Sequence, residues 1–294
     1  MSDPRTVLVT GAGRGIGRAA VELFDDAGWR AVAGVRDLDA GRAAYRDRPG
    51  VHVVRLDVTD AATVTAAVAE AESLAGGALD ALVSNAGYAV LGAVEDVDLD
   101  EVRAMFETNF LGAAAVVQAV LPAMRERGDG AIVFTSSIGA RLSNPLVGMY
   151  HASKYALLAM AEALAVECRP FGIRVSSIEP GMVDTDFPRA TRPTGSLARG
   201  EGPYLPLLGD LRRGFAAWRE RSPTPAADVA RAIVATASDG DAPFRVTVGD
   251  DAEGLAATRA ATSDDHLWHD EIVGFLQLDW PRRAPAPPPP APEE

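Results

Sequence analysis

Residues Thr6–Gly17 read TVLVTGAGRGIG. The first five form a short, β-branched, almost wholly apolar run, the pattern of a strand covered on both faces. The next seven hold four glycines, Gly11, Gly13, Gly15 and Gly17, in the spacing TGxxxGxG from Thr10. Glycine permits positive φ and close backbone approach, and a helix beginning near Ile16 turns its unpaired N-terminal amides toward a phosphate. Glycines also serve plain tight turns. Placement directly between a strand and a helix is what makes this one a phosphate-loop candidate.

Outward from that unit the same rhythm repeats. Further apolar runs lie at Ala31–Val35, Val51–Leu56, Asp80–Ser84, Ala131–Ser136, Ile173–Ile178 and Phe244–Val248. Between them, Ile16–Ala27, Asp60–Leu74, Leu99–Arg127 and Met149–Arg169 are long and alanine-rich enough for crossover helices. Repeated right-handed β–α–β units predict an α/β, Rossmann-like, doubly wound parallel sheet of about seven strands with helices on both faces. One domain is expected over 1–280. Residues 182–222 break the rhythm with Pro188, Pro193, Pro203 and Pro206 among large apolar side chains. A long connection after a strand's C-terminal end is read as a substrate lid, with a structural insertion as the alternative. Residues 281–294, PRRAPAPPPPAPEE, carry seven prolines and read as a disordered, solvated tail.

Charge excludes some function classes. With 28 basic against 41 acidic residues the net charge is −13, which repels nucleic-acid phosphates and anionic membranes. Cys168 is the only cysteine, so neither an internal disulfide nor a cysteine metal cage is possible. The N-terminus lacks the pattern of a signal peptide. The apolar stretch Phe110–Met124 contains Gln118 and Pro122 and reads as too short to span a bilayer. A cytoplasmic protein is expected. Of the 28 basic residues, 27 are arginine and one is lysine, Lys154.

That lysine sits in Tyr150-His151-Ala152-Ser153-Lys154. Together with Thr10–Gly17, Asn85-Ala86-Gly87 after the fourth run, Ser137 after the fifth and Pro180-Gly181 after the sixth, it resembles the short-chain dehydrogenases/reductases from about Arg5 to Thr185. The VRDL and IEPGMVDT segments resemble the branch with steroid- and retinoid-type reductases. The resemblance implies a nicotinamide dinucleotide on Gly11, Arg14, Gly15, Ile16 and Gly17. It places adenine at Asp57-Val58, the cofactor's middle at Asn85, Ala86 and Gly87, and its nicotinamide end at Pro180, Gly181, Val183 and Thr185. Asp57 also reads as a residue of a helix N-cap region ahead of Thr59 and Asp60.

NAD-binding members of this architecture place an acidic side chain at the end of the second strand. Here that position is Val35, followed by Arg36, with Arg14 in the loop. Two guanidiniums suit a ribose 2′-phosphate, so NADP(H) is the expected cofactor and NAD(H) the alternative. Arg36 could instead only pair with Asp37, which would read the ribose if the strand ended one residue later.

Tyr150 and Lys154 are four apart, on one face of a helix. A phenol near its ordinary value is a poor acid–base group at neutral pH, and an adjacent ammonium, helped by the positive nicotinamide, favours its ionised form. The resemblance assigns Tyr150 to acid–base chemistry, Lys154 to tuning it and holding the nicotinamide ribose, Ser137 to polarising the substrate oxygen, and Asn109 to a water-mediated proton relay with Lys154. Strand alternation separates Ser137 from Ser136. His266 and His269 have helical spacing but no third ligand, so a solvated face is expected and no metal site. No GxSxG elbow supports a hydrolase. The expected function is carbonyl–alcohol interconversion on a bulky apolar small molecule by a homo-oligomer, dimer or tetramer. The alternatives are an NAD-dependent alcohol dehydrogenase of the same fold and a non-catalytic NADPH-binding regulator.

Overall fold

Seven strands hydrogen-bond side by side in one sheet: β1 (Thr6–Thr10), β2 (Arg30–Val35), β3 (His52–Arg55), β4 (Ala81–Ser84), β5 (Gly130–Thr135), β6 (Ile173–Pro180) and β7 (Arg245–Val248). The computed structural model describes residues 3–185, 187, 191–221, 224–262 and 265–279, the side chains of 265–267 excepted. Every pairing in this sheet is parallel, and the order is β3-β2-β1-β4-β5-β6-β7. This is the expected doubly wound α/β architecture. The strand bounds lie within about two residues of the apolar runs, the usual disagreement at element ends.

Alternation along β1 explains the two layers. Val7 and Val9 face one core with Ala20, Val21 and Phe24 of α1 (Gly15–Asp26), and α2 (Leu38–Ala44) borders the same side through Leu38. Leu8 faces the other, with α3 (Ala61–Ala75) packed on it through Val64 and Val68. Local sequence sets the ends of α3: the Asp60 carboxylate accepts from Ala62 N at 2.9 Å, and Gly76 follows the last turn at φ +70°.

After β4 the chain enters α4 (Leu99–Phe106), passes a wider helical turn at Glu107–Leu111 and continues as α5 (Gly112–Arg127). The helical run thus spans 29 residues and, by length and composition, is apolar enough to cross a membrane. The crossover helix expected over Leu99–Arg127 thus forms in full, and the expectation drawn from Phe110–Met124 weighed only its apolar part. In the fold, Ala113, Val116, Val117, Val120 and Met124 pack into the Leu8 core. The next helix, α6 (Gly148–Cys168), lies against the same core through Leu157, Ala161 and Leu164.

Beyond β6 further helices follow among the described residues. They are α7 (Gly195–Arg199), α8 (Leu205–Arg221), α9 (Ala226–Ser238), α10 (Asp250–Ala261) and α11 (Asp265–Phe275). Helix α9 returns to the Val7 side of the sheet through Val229 and Ile233. The others build a third apolar cluster with Leu142 and Leu146, in which Leu207, Leu208, Leu211 and Trp218 of α8 meet Leu255, Trp268 and Ile272. The segment read as a lid therefore contains a 17-residue helix. Two short parallel pairings fasten its described parts: Val183–Asp184 with Thr224–Pro225, and Arg192–Pro193 with Val90–Leu91. The Pro-rich tail lies outside the described residues.

Candidate active site

Strand order reverses at β1, whose neighbours are β2 and β4, and the crevice beyond their C-terminal ends is where this architecture binds ligands. The glycine loop and the Asn85–Gly87 turn meet there. The Thr10 hydroxyl accepts from the backbone amides of Asn85 at 2.9 Å and Ala86 at 3.0 Å, and Asn85 Nδ2 donates to the Thr10 carbonyl at 3.0 Å. The loop has no room for side chains on this side. A Cβ on Gly11, which sits at φ +64°, would lie 2.8 Å from Ala86 Cα; one on Gly17 would lie 2.5 Å from both Asn85 Nδ2 and the Gly11 carbonyl oxygen. Helix α1 then opens at Gly15 and Ile16 with no side-chain cap from Arg14. A tight turn with glycines where the backbone packs closest, ending in uncapped helix amides, fits a dinucleotide's pyrophosphate.

At the adenosine end, β2 stops at Val35 and Arg36 follows, with no slip of the strand end. Asp37 caps α2, accepting from Asp39 N and Ala40 N at 3.0 Å. Arg14 and Arg36 are both exposed, and neither forms a salt bridge among the described residues. The Asp57 carboxylate accepts from Thr59 N at 3.0 Å and Thr59 Oγ1 at 2.8 Å, while Asp60 takes the cap of α3. Burial raises its pKa, but the two Thr59 bonds and the charges of Arg36 and Arg55 outweigh this and hold it below the usual carboxylate range. The Val58 side chain is buried against Gly112, which leaves its backbone as what it can offer a ligand.

Four side chains converge where β5, α6 and the turn at Glu107–Leu111 meet. Asn109 is buried: its Oδ1 accepts from Tyr88 N at 3.0 Å, and its Nδ2 donates to the Tyr88 carbonyl at 2.9 Å and Ser153 Oγ at 3.0 Å. Lys154, also buried, donates to the Thr135 carbonyl at 2.9 Å. A Cβ on Gly87 would stand 3.1 Å from Asn109 Oδ1 and 3.7 Å from Lys154 Nζ, so the Asn85–Gly87 turn closes over both. Ser137 begins the turn after β5. Its Oγ accepts from Gly139 N at 3.0 Å, and its side chain lowers the Tyr150 phenol against the effect of burial. Ser136 is buried while Ser137 is half-exposed beside Tyr150, as strand alternation requires.

Burial sets the titration of this group. The Tyr150 phenol is pushed up to about 12 by desolvation, opposed by the Ser137 hydrogen bond, and Lys154 is pushed down to about 8 by desolvation. The lysine is not among the groups that move the tyrosine. His151 turns its Nδ1 to the Gly139 carbonyl at 3.0 Å and is pushed down to about 4 by burial, so it is neutral.

Pro180 ends β6, and Gly181 packs on the Asp251 carboxylate. Asp251 was not legible in the sequence: its Oδ2 accepts from Met182 N and Trp218 Nε1, both at 2.7 Å, joining the segment just after β6 to α8 and α10. Val183 pairs with Thr224, and Thr185 lies by the loop, 3.6 Å from where a Cβ on Gly15 would be. Phe187 packs against Tyr150 with the rings tilted by 56° and their centroids 5.7 Å apart. Thr10, Tyr88 and Ser153, which hold Asn85 and Asn109, also carried no local signal beyond lying in or beside the motifs. His269 is exposed and the His266 side chain lies outside the described residues; among the described residues no group of metal ligands occurs.

A family model for short chain dehydrogenases matches residues 5–195. Retinol dehydrogenase 8 of Bos taurus is 33% identical over 305 residues, covering 96% of this chain and 93% of the relative. Estradiol 17-beta-dehydrogenase 1 of Rattus norvegicus is 35% identical over 225 residues, 72% of this chain and 64% of the relative. Among solved structures, a short-chain dehydrogenase from Streptomyces avermitilis superposes with TM-score 0.77 at 32% identity, covering 93% of this chain and 98% of the other. A short chain dehydrogenase from Burkholderia cenocepacia J2315 in complex with NADP gives 0.71 at 28%, covering 93% and 99%. Motifs, sheet order and these matches agree: the chain belongs to the short-chain dehydrogenase/reductase family of oxidoreductases.

Proposed function

We propose that this enzyme is an NADP(H)-dependent oxidoreductase that interconverts a ketone or aldehyde with an alcohol on a bulky, apolar substrate. The observation that carries the reading is the linked set at the crevice. Lys154 is tied to Thr135, two residues before Ser137, and the Ser137 side chain acts on the Tyr150 phenol, lowering it against its burial. When bound, the reduced dinucleotide supplies the hydride that a carbonyl carbon accepts. The chain's own work is at the oxygen. Ser137 positions and polarises it by hydrogen bonding, and Tyr150 donates the phenolic proton in reduction and takes it back in oxidation. Lys154, a compact ammonium, supports the charge left on the phenol. Asn109, held rigidly by Tyr88 and Ser153, lines the route by which that proton is replaced.

Arg14 and Arg36 support a 2′-phosphate, because both are exposed and unbridged while Asp37 is engaged as a helix cap. The apolar cluster of Leu142, Leu146 and α8, with Phe187 over Tyr150, supports an apolar substrate. Exposed Leu111 at the end of the Glu107–Leu111 turn, Tyr155 and Val166 on α6 and Phe171 in the turn after it support a homo-oligomer, and we take the cytoplasm as its compartment. The test is oxidation of NADPH and NADH against ketones, quinones and aldehydes, with Tyr150→Phe as control. NADPH-dependent turnover that disappears in the variant is expected. Tight NADPH binding with no turnover, or turnover that survives Tyr150→Phe, overturns the reading.

A further inference from the structure

Glu179 is wholly buried at the end of β6, and neither the cofactor motif nor the four converging side chains uses it. A carboxylate there needs a reason, since burying an unpaired charge is costly. Its Oε2 takes a salt bridge from Arg141 Nε, and Arg245 Nε lies 4.0 Å from Oε1. Arg141 is the last residue of a tight turn that starts at Ser137. Ala140 N donates to the Ser137 carbonyl at 2.9 Å, Arg141 N to the Ile138 carbonyl at 2.9 Å, and Gly139 N to Ser137 Oγ at 3.0 Å. The turn is therefore one hydrogen-bonded unit with the Ser137 hydroxyl at one end and the Arg141 guanidinium at the other. From the opposite side, the His151 ring packs so closely on Gly139 that a Cβ there would lie 2.3 Å from Nδ1.

We propose that Glu179 is a positioning residue for Ser137: through Arg141 it clamps the Ser137–Arg141 turn to β6, with His151 holding the turn from α6. The inference rests on the assignment of Ser137 to the substrate oxygen. The geometry has a second consequence. Glu179 immediately precedes Pro180-Gly181, so one carboxylate ties the turn bearing Ser137 to the turn expected at the nicotinamide end. The distance between substrate oxygen and hydride donor is then fixed by a single strand end and not by two independent loops. Burial raises the Glu179 pKa, while Arg141 and Arg245 oppose this. The carboxyl can therefore accept a proton if Arg141 is removed, whereas a guanidinium stays charged if Glu179 is removed. Arg141→Gln is accordingly the gentler variant and Glu179→Gln the harsher one.

The experiment compares wild type, Arg141→Gln and Glu179→Gln, each with and without Ser137→Ala. It measures NADPH-dependent reduction of 9,10-phenanthrenequinone, NADPH affinity by fluorescence titration, and amide hydrogen exchange. The clamp predicts that either substitution lowers kcat by about ten- to a hundredfold, the scale of a displaced positioning contact, and leaves NADPH affinity within about twofold. Exchange over residues 137–142 speeds up more than elsewhere, and in the Ser137→Ala background neither substitution lowers kcat further. Unchanged kcat and exchange, or an equal loss whether or not Ser137 is present, overturns the clamp. Where Glu179→Gln does not fold, Arg141→Gln alone decides. A wild type that does not reduce the quinone, or whose turnover survives Tyr150→Phe, counts against the functional reading instead, and exchange over 137–142 still decides the clamp.

Discussion

Lys154 Nζ donates to the carbonyl oxygen of Thr135 at 2.9 Å, which anchors the chain's single lysine at the strand end that leads into Ser137. The buried ammonium lies beside the Asn109 side chain and under the Gly87 backbone. A guanidinium is planar, broader and differently directed, and cannot take that place without displacing its neighbours. Lys154→Arg is therefore expected to keep the charge and still lose about a hundredfold or more of kcat, a typical scale for removing a group that assists proton transfer. Steady-state kinetics check this, and near-normal turnover would contradict it.

Arg36 follows the last residue of β2 and forms no salt bridge among the described residues, so its charge is available to a 2′-phosphate. Reversing that charge leaves an acidic group suited to a ribose 2′-hydroxyl. In Arg36→Asp, NADPH affinity should fall by about ten- to a hundredfold, the loss of one or two charge-assisted contacts, while NADH affinity holds or improves. Fluorescence titration with both nucleotides measures the ratio. Unchanged NADPH affinity would sink the cofactor assignment.

Gly17 faces Asn85 and the Gly11 carbonyl with no space for a methyl group. Adding one forces the loop away from the Asn85–Gly87 turn. Gly17→Ala should destabilise the fold by about 1–3 kcal/mol, the usual cost of overpacking, and weaken NADPH binding at the same time. Denaturant unfolding and nucleotide titration on the same preparation test it; full stability would show that the two turns are not in contact.

Desolvation holds Lys154 near 8, so its ammonium is lost as pH rises through that value. Tyr150, held up to about 12 by burial against the Ser137 hydrogen bond, keeps its proton across the same range. The rate of carbonyl reduction should therefore fall as pH rises through about 8, with the lysine and not the tyrosine as the titrating group. A pH–rate profile from about 6 to 10 reads this directly. A flat profile across that range would rule it out.

The strands and crossover helices were legible because their signals are local. Continuous apolar runs mark strands buried on both faces, and the loop glycines sit where only glycine leaves room for backbone contact. The Tyr150–Lys154 spacing was legible for the same reason, since a helix places residues four apart on one face whatever surrounds it. Asn109 was half-legible: its residue type is awkward in a helix, but the Tyr88 and Ser153 contacts that bury it come from elsewhere in the chain.

By itself, then, the sequence determined the alternation of elements, the order of the sheet's motifs and the identity of the groups at the crevice. Tertiary structure alone decided what those groups experience. The ion pair of Arg141 with Glu179 and the hydrogen bond of Trp218 to Asp251 join residues 38 and 33 apart, which no periodicity encodes. Likewise the raised phenol of Tyr150 and the lowered ammonium of Lys154 follow from desolvation, a property of everything packed around a side chain and not of its neighbours in sequence.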